Sequence, residues 1–114
     1  MRKVLSTVNE TALKSIADFH SEQVKQVEEA VQKNDYVIVG MAGNPFCRKA
    51  RKALDERQIK YEYIGIGGYT SMWKPRLAVK LWSGWPTFPM VFQDGKLVGG
   101  LKELKAALPE KSAQ

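Results

Sequence analysis

Apolar side chains and one histidine recur at steps of three and four residues along residues 9–33, which is the repeat of one helix face. The positions are Leu13, Ala17, His20, Val24, Val27 and Val31. The pattern predicts one long amphipathic helix, which Asn9 caps and the polar pair Asn34-Asp35 ends. Because His20 falls within the apolar stripe, we expect a packed side chain there rather than a catalytic base.

A strand, a helix and a second strand are predicted next. Residues 36–39 are β-branched and apolar, as in a buried strand, and residues 61–66 alternate, as in a second one. Between them Asn44 is a strong helix cap, and Pro45 suits the first helical position. The helical wheel puts Cys47 at the edge of an apolar face and the basic residues on the solvent side; the apolar face consists of Phe46, Ala50, Ala53 and Leu54. A strand–helix–strand unit predicts two parallel strands with a right-handed crossover.

The last third of the chain predicts a helix, a hairpin and a short closing helix. Residues 72–83 fit a helix that Gly84 stops, with Leu77, Leu81 and Trp82 facing inward. Residues 89–92 and 96–98 are joined by a tight turn at Asp94-Gly95, so they should pair as antiparallel strands. The closing helix carries Leu101, Leu104 and Leu108. The whole order indicates an α/β domain with a four-stranded mixed sheet flanked by helices, as in thioredoxin-like proteins.

Composition narrows the class of protein. The 114 residues are 44% hydrophobic and 26% charged, which suits one compact domain. We expect residues 35–109 to form it, residues 1–34 to be a helical extension packed on it, and residues 110–114 to be a flexible tail. The N-terminus lacks the apolar core of a signal peptide, and no apolar run could span a bilayer. These features predict a cytoplasmic protein without a membrane partner.

Charge and cysteine usage exclude further classes of partner and of site. The net charge of +6 predicts a basic surface. No aromatic platform is interleaved with the basic run, so we expect no nucleic-acid partner. The single cysteine, Cys47, excludes an intrachain disulfide and a cysteine-based zinc site, so we predict no metal. It also suits a reducing compartment.

Two motifs near the C-terminus are more specific. Trp85-Pro86-Thr87-Phe88-Pro89 is followed by a Gly95-x-Leu97-Val98-Gly99-Gly100 segment. Over residues 22–106 the chain closely resembles the glutaredoxin family, and it is most similar to the monothiol branch. The resemblance implies a thioredoxin-like fold and thiol–disulfide exchange with glutathione or with a protein thiol or disulfide as partner.

The resemblance also implies roles for individual residues. Pro89 would be a cis-proline beside the active site, and Thr87 and Phe88 would line a glutathione groove. Arg76 and Lys80 would pair with the glutathione carboxylates. The two glycines of the second motif would let the chain approach the ligand closely; they are Gly99 and Gly100. Trp73, Trp82 and Trp85, together with Tyr69, either frame this groove or pack in the core.

Three functional features of the family are altered in this chain. Asn44 stands at the position of the family's nucleophilic cysteine, and Cys47 stands at the second position of the motif. Met41 and Ala42 stand where a basic residue is usual, and Lys102 replaces an acidic residue. Together these changes argue against the iron–sulfur cluster that some monothiol members bind.

Two functions therefore stay open. In the first, Cys47 forms mixed disulfides that external glutathione resolves, as a monothiol enzyme of cell redox homeostasis. The helix start would lower the pKa of its thiol, whereas burial would raise it. In the second, the fold is a redox-inactive module that binds an extended peptide or protein partner. Either function suits a monomer or a weak homodimer, and the enzyme assignment depends on whether Cys47 reacts.

Overall fold

The computed structural model describes residues 10–108, and of residues 10, 13, 16 and 17 the backbone alone. Within that range the chain forms α1 (Glu10–Asp18), α2 (Ser21–Lys33), β1 (Tyr36–Gly40), α3 (Pro45–Glu56), β2 (Glu62–Gly65), α4 (Trp73–Ser83), β3 (Met90–Gln93), β4 (Lys96–Gly99) and α5 (Leu101–Ala107). The predicted cap Asn9, the side chains of Leu13 and Ala17, and the predicted tail at residues 110–114 lie outside the described part.

The four strands form one mixed sheet in the order β2-β1-β3-β4. β1 and β2 are parallel, whereas β3 runs antiparallel to both β1 and β4. Asp94 and Gly95, which join β3 to β4, have φ values of 52° and 82°, as a tight two-residue hairpin requires. The predicted thioredoxin-like arrangement is confirmed.

Side chains alternate across the two central strands and build a core on each face of the sheet. Val37 and Val39 point to one face, where α2 supplies Val27 and Val31. Ile38 points to the other face. There α3 and α5 supply the partners, which are Ala50, Ala53, Leu54 and Leu104. Both faces of β1 are thereby buried, which holds its carboxyl end rigid where α3 begins.

The predicted single N-terminal helix is wrong in one respect, because it is interrupted after Asp18. His20 adopts the left-handed conformation, with φ 46° and ψ 44°, and a new helix begins at Ser21. The prediction of a packed histidine is also wrong, since His20 is exposed. An apolar repeat of three and four residues continues across such a break, so the repeat did not reveal it.

The prediction that Leu77, Leu81 and Trp82 face inward from α4 is wrong. Leu77, Leu81 and Trp82 are exposed by 37%, 51% and 39%. The helix instead buries Arg76 and Val79, which are three residues apart. Leucine and tryptophan were the most apolar side chains of this helix, but the face that meets the sheet carries an arginine.

Among residues 10–108, no helix is both long and apolar enough to cross a bilayer.

The end of β4 predicts different effects for two neighbouring glycines. Gly99 has φ 132°, and a Cβ atom there would lie 2.7 Å from Cγ of Glu103. Gly100 has φ −100°, and its Cβ would meet no atom closer than 3.5 Å. We expect Gly99→Ala to lower the free energy of unfolding by about 1–3 kcal/mol, and Gly100→Ala by less than about 1 kcal/mol.

Urea unfolding of both variants beside the wild type measures this difference. Equal losses of stability in the two variants would contradict the strain assigned to Gly99.

Candidate functional site

Asn44 joins the start of α3 to the loop before β3. Its side-chain oxygen accepts hydrogen bonds from the backbone N–H groups of Phe46 at 2.8 Å and Cys47 at 3.2 Å. Its amide nitrogen donates to the backbone oxygen of Phe88 at 3.5 Å. The predicted helix cap is therefore confirmed, and the same side chain also holds the loop that carries Pro89.

The loop before β3 turns sharply at Pro89. The peptide bond between Phe88 and Pro89 is cis, as the resemblance implies. Phe88 is buried, and Nζ of Lys80 lies 5.6 Å from the centroid of its ring. The loop and the end of α4 thus form one wall of a groove.

The groove has a volume of about 490 Å³. Its lining contains six of the residues predicted for the site: Asn44, Lys80, Thr87, Phe88, Pro89 and Gly100. The other lining residues are Met41, Phe46, Trp85, Pro86, Leu101, Lys102 and Glu103. Phe46, predicted to face the core, is 54% exposed instead, because the first turn of α3 extends beyond the sheet edge.

Arg76, predicted to pair with a ligand carboxylate, does not line the groove. Its side chain is 7% exposed. Nη1 donates to the backbone oxygens of Ile66 at 2.9 Å and Ser71 at 2.6 Å. This arginine holds the loop between β2 and α4, so the structure gives it a different position from the expected one. Gly99 is likewise absent from the lining and lies against Glu103.

Cys47 is 2% exposed and does not line the groove. Burial raises the pKa of its thiol, and a hydrogen bond from the backbone of Met41 offsets this in part. Burial is the larger of these two influences, so the pKa of the thiol is raised overall. A Cβ atom built on Gly40 would lie only 2.9 Å from the Cys47 sulfur, so the thiol packs directly against the backbone of β1.

The cysteine borders a second cavity on the other side of α3. This cavity has a volume of about 720 Å³ and includes Arg48, Arg51 and Tyr63. Cζ of Arg51 lies 4.0 Å from the Tyr63 ring centroid. Burial raises the pKa of the Tyr63 phenol, and the neighbouring Cys47 adds to the rise. Sequence reasoning missed Tyr63 because a tyrosine in an alternating strand carries no signal of a cysteine neighbour.

Charged and polar groups at the far end of the groove were also missed, apart from Lys102. Glu103 accepts a hydrogen bond from the backbone N–H of Gly100 at 3.0 Å. The indole N–H of Trp85 is buried there without a hydrogen-bond partner. The capping spacing from Gly100 to Glu103 is a sequence signal for the first contact, whereas no sequence signal exists for the second.

The other aromatic residues of interest are spread over the surface. Tyr69 and Trp73 are exposed by 70% and 60%. Trp82 packs its ring 5.7 Å from that of Phe92. Only Trp85 of the four predicted aromatics is part of the groove lining that the structure describes.

Within residues 10–108, no group of three or more histidine, cysteine, aspartate or glutamate side chains is arranged to hold a metal ion.

We expect alkylation of Cys47 in the native protein to be slow at neutral pH, with a midpoint above the thiol's ordinary value of about 8.5. Burial limits both access to the sulfur and formation of the thiolate. The rate against pH, with the urea-unfolded chain as the control, tests this. Fast alkylation of the folded chain at pH 7 would contradict it.

The same rise in pKa links stability to pH. Between the pKa values of the unfolded and the folded chain, the native state binds more protons at Cys47. This stabilising contribution is complete below the unfolded pKa and is lost as pH rises through the folded pKa. The difference in stability between wild type and Cys47→Ala should therefore shrink above about pH 8.5.

Variants at Asn44 separate its two hydrogen-bonding roles. Asn44→Ala removes the cap and should cost about 1 kcal/mol. Asn44→Asp keeps an acceptor for Phe46 and Cys47 and places a favourable charge at the start of α3, so the helix cap should survive. It removes the donor to Phe88. In urea unfolding, the wild type should have the highest free energy of unfolding, Asn44→Asp an intermediate one and Asn44→Ala the lowest. If both variants are as stable as the wild type, the assigned contacts are wrong.

Known proteins share both the sequence and the fold of this chain. A family profile described as Glutaredoxin matches residues 37–98. The glutaredoxin-like protein of Dictyostelium discoideum is 41% identical over 107 residues, which are 90% of this chain and 87% of that protein.

Solved glutaredoxins superpose on the same sheet and helices. The oxidized glutaredoxin 2 from Chlamydomonas reinhardtii matches with a TM-score of 0.65 at 26% identity, over 77% of this chain and 83% of that chain. The buckwheat glutaredoxin–glutathione complex matches in fold with a TM-score of 0.66 at 21% identity, over 78% and 81% of the two chains. The family profile matches most of the sheet, and the Dictyostelium relative matches nearly the whole chain. The chain therefore belongs to the glutaredoxin family of thiol redox proteins.

Proposed function

We propose that this glutaredoxin-like chain binds glutathione, or an extended segment of a partner protein, in the cis-proline groove without using a thiol of its own. One observation carries the proposal. The groove is lined by Thr87, Phe88 and Pro89, whereas the helix start that faces it presents the Asn44 amide. A recognition site is thus formed where the family's nucleophile is missing.

The groove can hold a peptide-like ligand by two kinds of contact. Backbone groups of the loop before Pro89 can pair with a ligand backbone as an added strand. Lys80, fixed over the Phe88 ring, can bind a carboxylate. The buckwheat neighbour was solved as a complex with glutathione, which makes glutathione the first ligand to test here. Because the Cys47 sulfur is buried outside the groove, we expect no bridging iron–sulfur cluster.

A second candidate function is thiol–disulfide exchange by Cys47 itself. It is favoured by the position of Cys47 in the first turn of α3, beside Arg48 and a cavity that borders the sulfur. The Cys47 thiolate would attack a disulfide and expel one sulfur as a thiolate, and glutathione would then release the mixed disulfide. Since Cys47 is 2% exposed, the residues that cover its sulfur would have to move first.

We also propose the cytoplasm as the compartment, since a single unpaired cysteine suits a reducing environment. A monomer or weak homodimer remains our proposal for the assembly. Val27 and Val31 are buried against the sheet, which supports a covering role rather than an interface role for this part of the helical stripe. The division of the chain at residue 34 stays a prediction.

Two variants decide between the candidate functions. Cys47→Ser should bind reduced glutathione as tightly as the wild type in titration calorimetry, because the thiol lies outside the groove. In the double variant Asn44→Cys, Cys47→Ser, a thiol stands at the exposed start of α3. This variant should become glutathionylated by oxidised glutathione at pH 7 at least about tenfold faster than the wild type, given the favoured thiolate.

The opposite results identify the second function. If the wild type is glutathionylated at Cys47 as fast as the double variant, Cys47 is the working nucleophile. If neither glutathione nor a peptide binds Cys47→Ser, the groove proposal is wrong. Mass spectrometry of the intact protein after timed quenching measures the first outcome.

A further inference from the structure

The charges around the groove differ in their availability to a ligand. Lys80 and Lys102 both line it. Neither lysine forms an ion pair within residues 10–108. The one carboxylate among the described lining residues, Glu103, accepts the backbone N–H of Gly100. The described lining therefore offers a ligand two cations without a carboxylate partner, of which Lys80 lies over the Phe88 ring, and one carboxylate that holds the Gly100 N–H.

One hydrogen-bond donor of the groove also lacks a partner. Among residues 10–108, the buried indole nitrogen of Trp85 has no hydrogen-bond partner. It lies 3.6 Å from the position that a Cβ atom on Gly100 would take, and the Pro89 carbonyl oxygen lies 3.5 Å from that position. A buried donor without an acceptor is costly.

From these observations we infer that the groove selects an internal, acidic peptide segment of a partner protein in preference to free glutathione. The inference rests on the proposed function, and it names the ligand class of the same groove. An internal segment has no terminal ammonium group, and its glutamate or aspartate carboxylates complement Lys80 and Lys102. One of its oxygens, from a carboxylate or a carbonyl, accepts the Trp85 N–H.

Free glutathione fits these charges less well. Its γ-glutamyl end carries an ammonium group as well as a carboxylate. Within the described lining, the one carboxylate that could receive this ammonium is Glu103, whose oxygen is bonded to Gly100. Binding glutathione at Glu103 would place the ammonium near Lys102, the neighbour of Glu103 along α5, and this repulsion weakens binding.

The experiment compares three ligands with the full-length Cys47→Ser protein, so that thiol chemistry cannot contribute. The ligands are glutathione, a capped pentapeptide with four glutamates around a serine, and the same peptide with glutamines. We expect the glutamate peptide to bind at least about tenfold tighter than either other ligand at low salt, and this preference should decrease as salt rises.

Variants assign the effect to the groove. Lys102→Glu should weaken the binding of the glutamate peptide about tenfold, which is the effect of reversing one nearby charge. Lys105→Glu is the matched control, because it makes the same change on α5 at an exposed residue outside the groove lining, and it should alter binding less than about twofold. Trp85→Phe keeps an aromatic ring but removes the N–H, and should lower the affinity for the glutamate peptide about three- to tenfold.

Each remaining outcome counts against the inference. Tighter binding of glutathione than of the glutamate peptide would overturn the ligand class and leave the groove function standing. Equal losses in Lys102→Glu and Lys105→Glu would mean that net charge alone attracts the peptide. If an equal concentration of a single-stranded oligonucleotide displaces the peptide, the ligand of the groove is a nucleic acid and the peptide inference is wrong. Absence of binding by all three ligands would overturn the proposed function as well.

Discussion

The site depends on the side chain of Asn44, which holds together two parts of the chain 44 residues apart. Its oxygen caps α3 through Phe46 and Cys47, and its nitrogen reaches the carbonyl oxygen of Phe88. An amide can do both because it carries an acceptor and a donor pair. A cysteine at this position would offer the helix only a weak acceptor. Asn44 therefore stabilises the helix start and the cis-proline loop together.

This arrangement separates the thiol of the chain from its recognition groove. The groove lies between the start of α3 and the loop before β3, whereas Cys47 points toward β1 and borders a cavity with Arg51 and Tyr63. Desolvation of the sulfur raises the pKa of the thiol and is a larger influence than the hydrogen bond from the backbone of Met41. Chemistry at Cys47 and binding in the groove therefore use different surfaces, which have Met41 in common.

Local signals in the sequence predicted most of the fold and part of the site. Asn44-Pro45 and Asp94-Gly95 each encode a backbone geometry through short-range sterics, the resemblance to glutaredoxins implied the cis bond at Pro89, and the structure has all three. Positions set by distant packing were not accessible. Arg76 looked like a ligand cation, yet it lies buried under the loop after β2, because its guanidinium satisfies carbonyl oxygens that no pattern reveals. The break at His20 was hidden for a similar reason.

The effect of the charge on Lys102 depends on the residues around it. A lysine on the exposed side of a short helix is ordinary, and such charges usually contribute little. Here it shares a groove with Lys80, while the carboxylate of the described lining, on Glu103, accepts the N–H of Gly100. Two cations and one carboxylate leave a net positive charge along this lining, beside an indole N–H of Trp85 that has no hydrogen-bond partner among residues 10–108. Both features favour the acceptor-rich, anionic ligand that we propose for the groove.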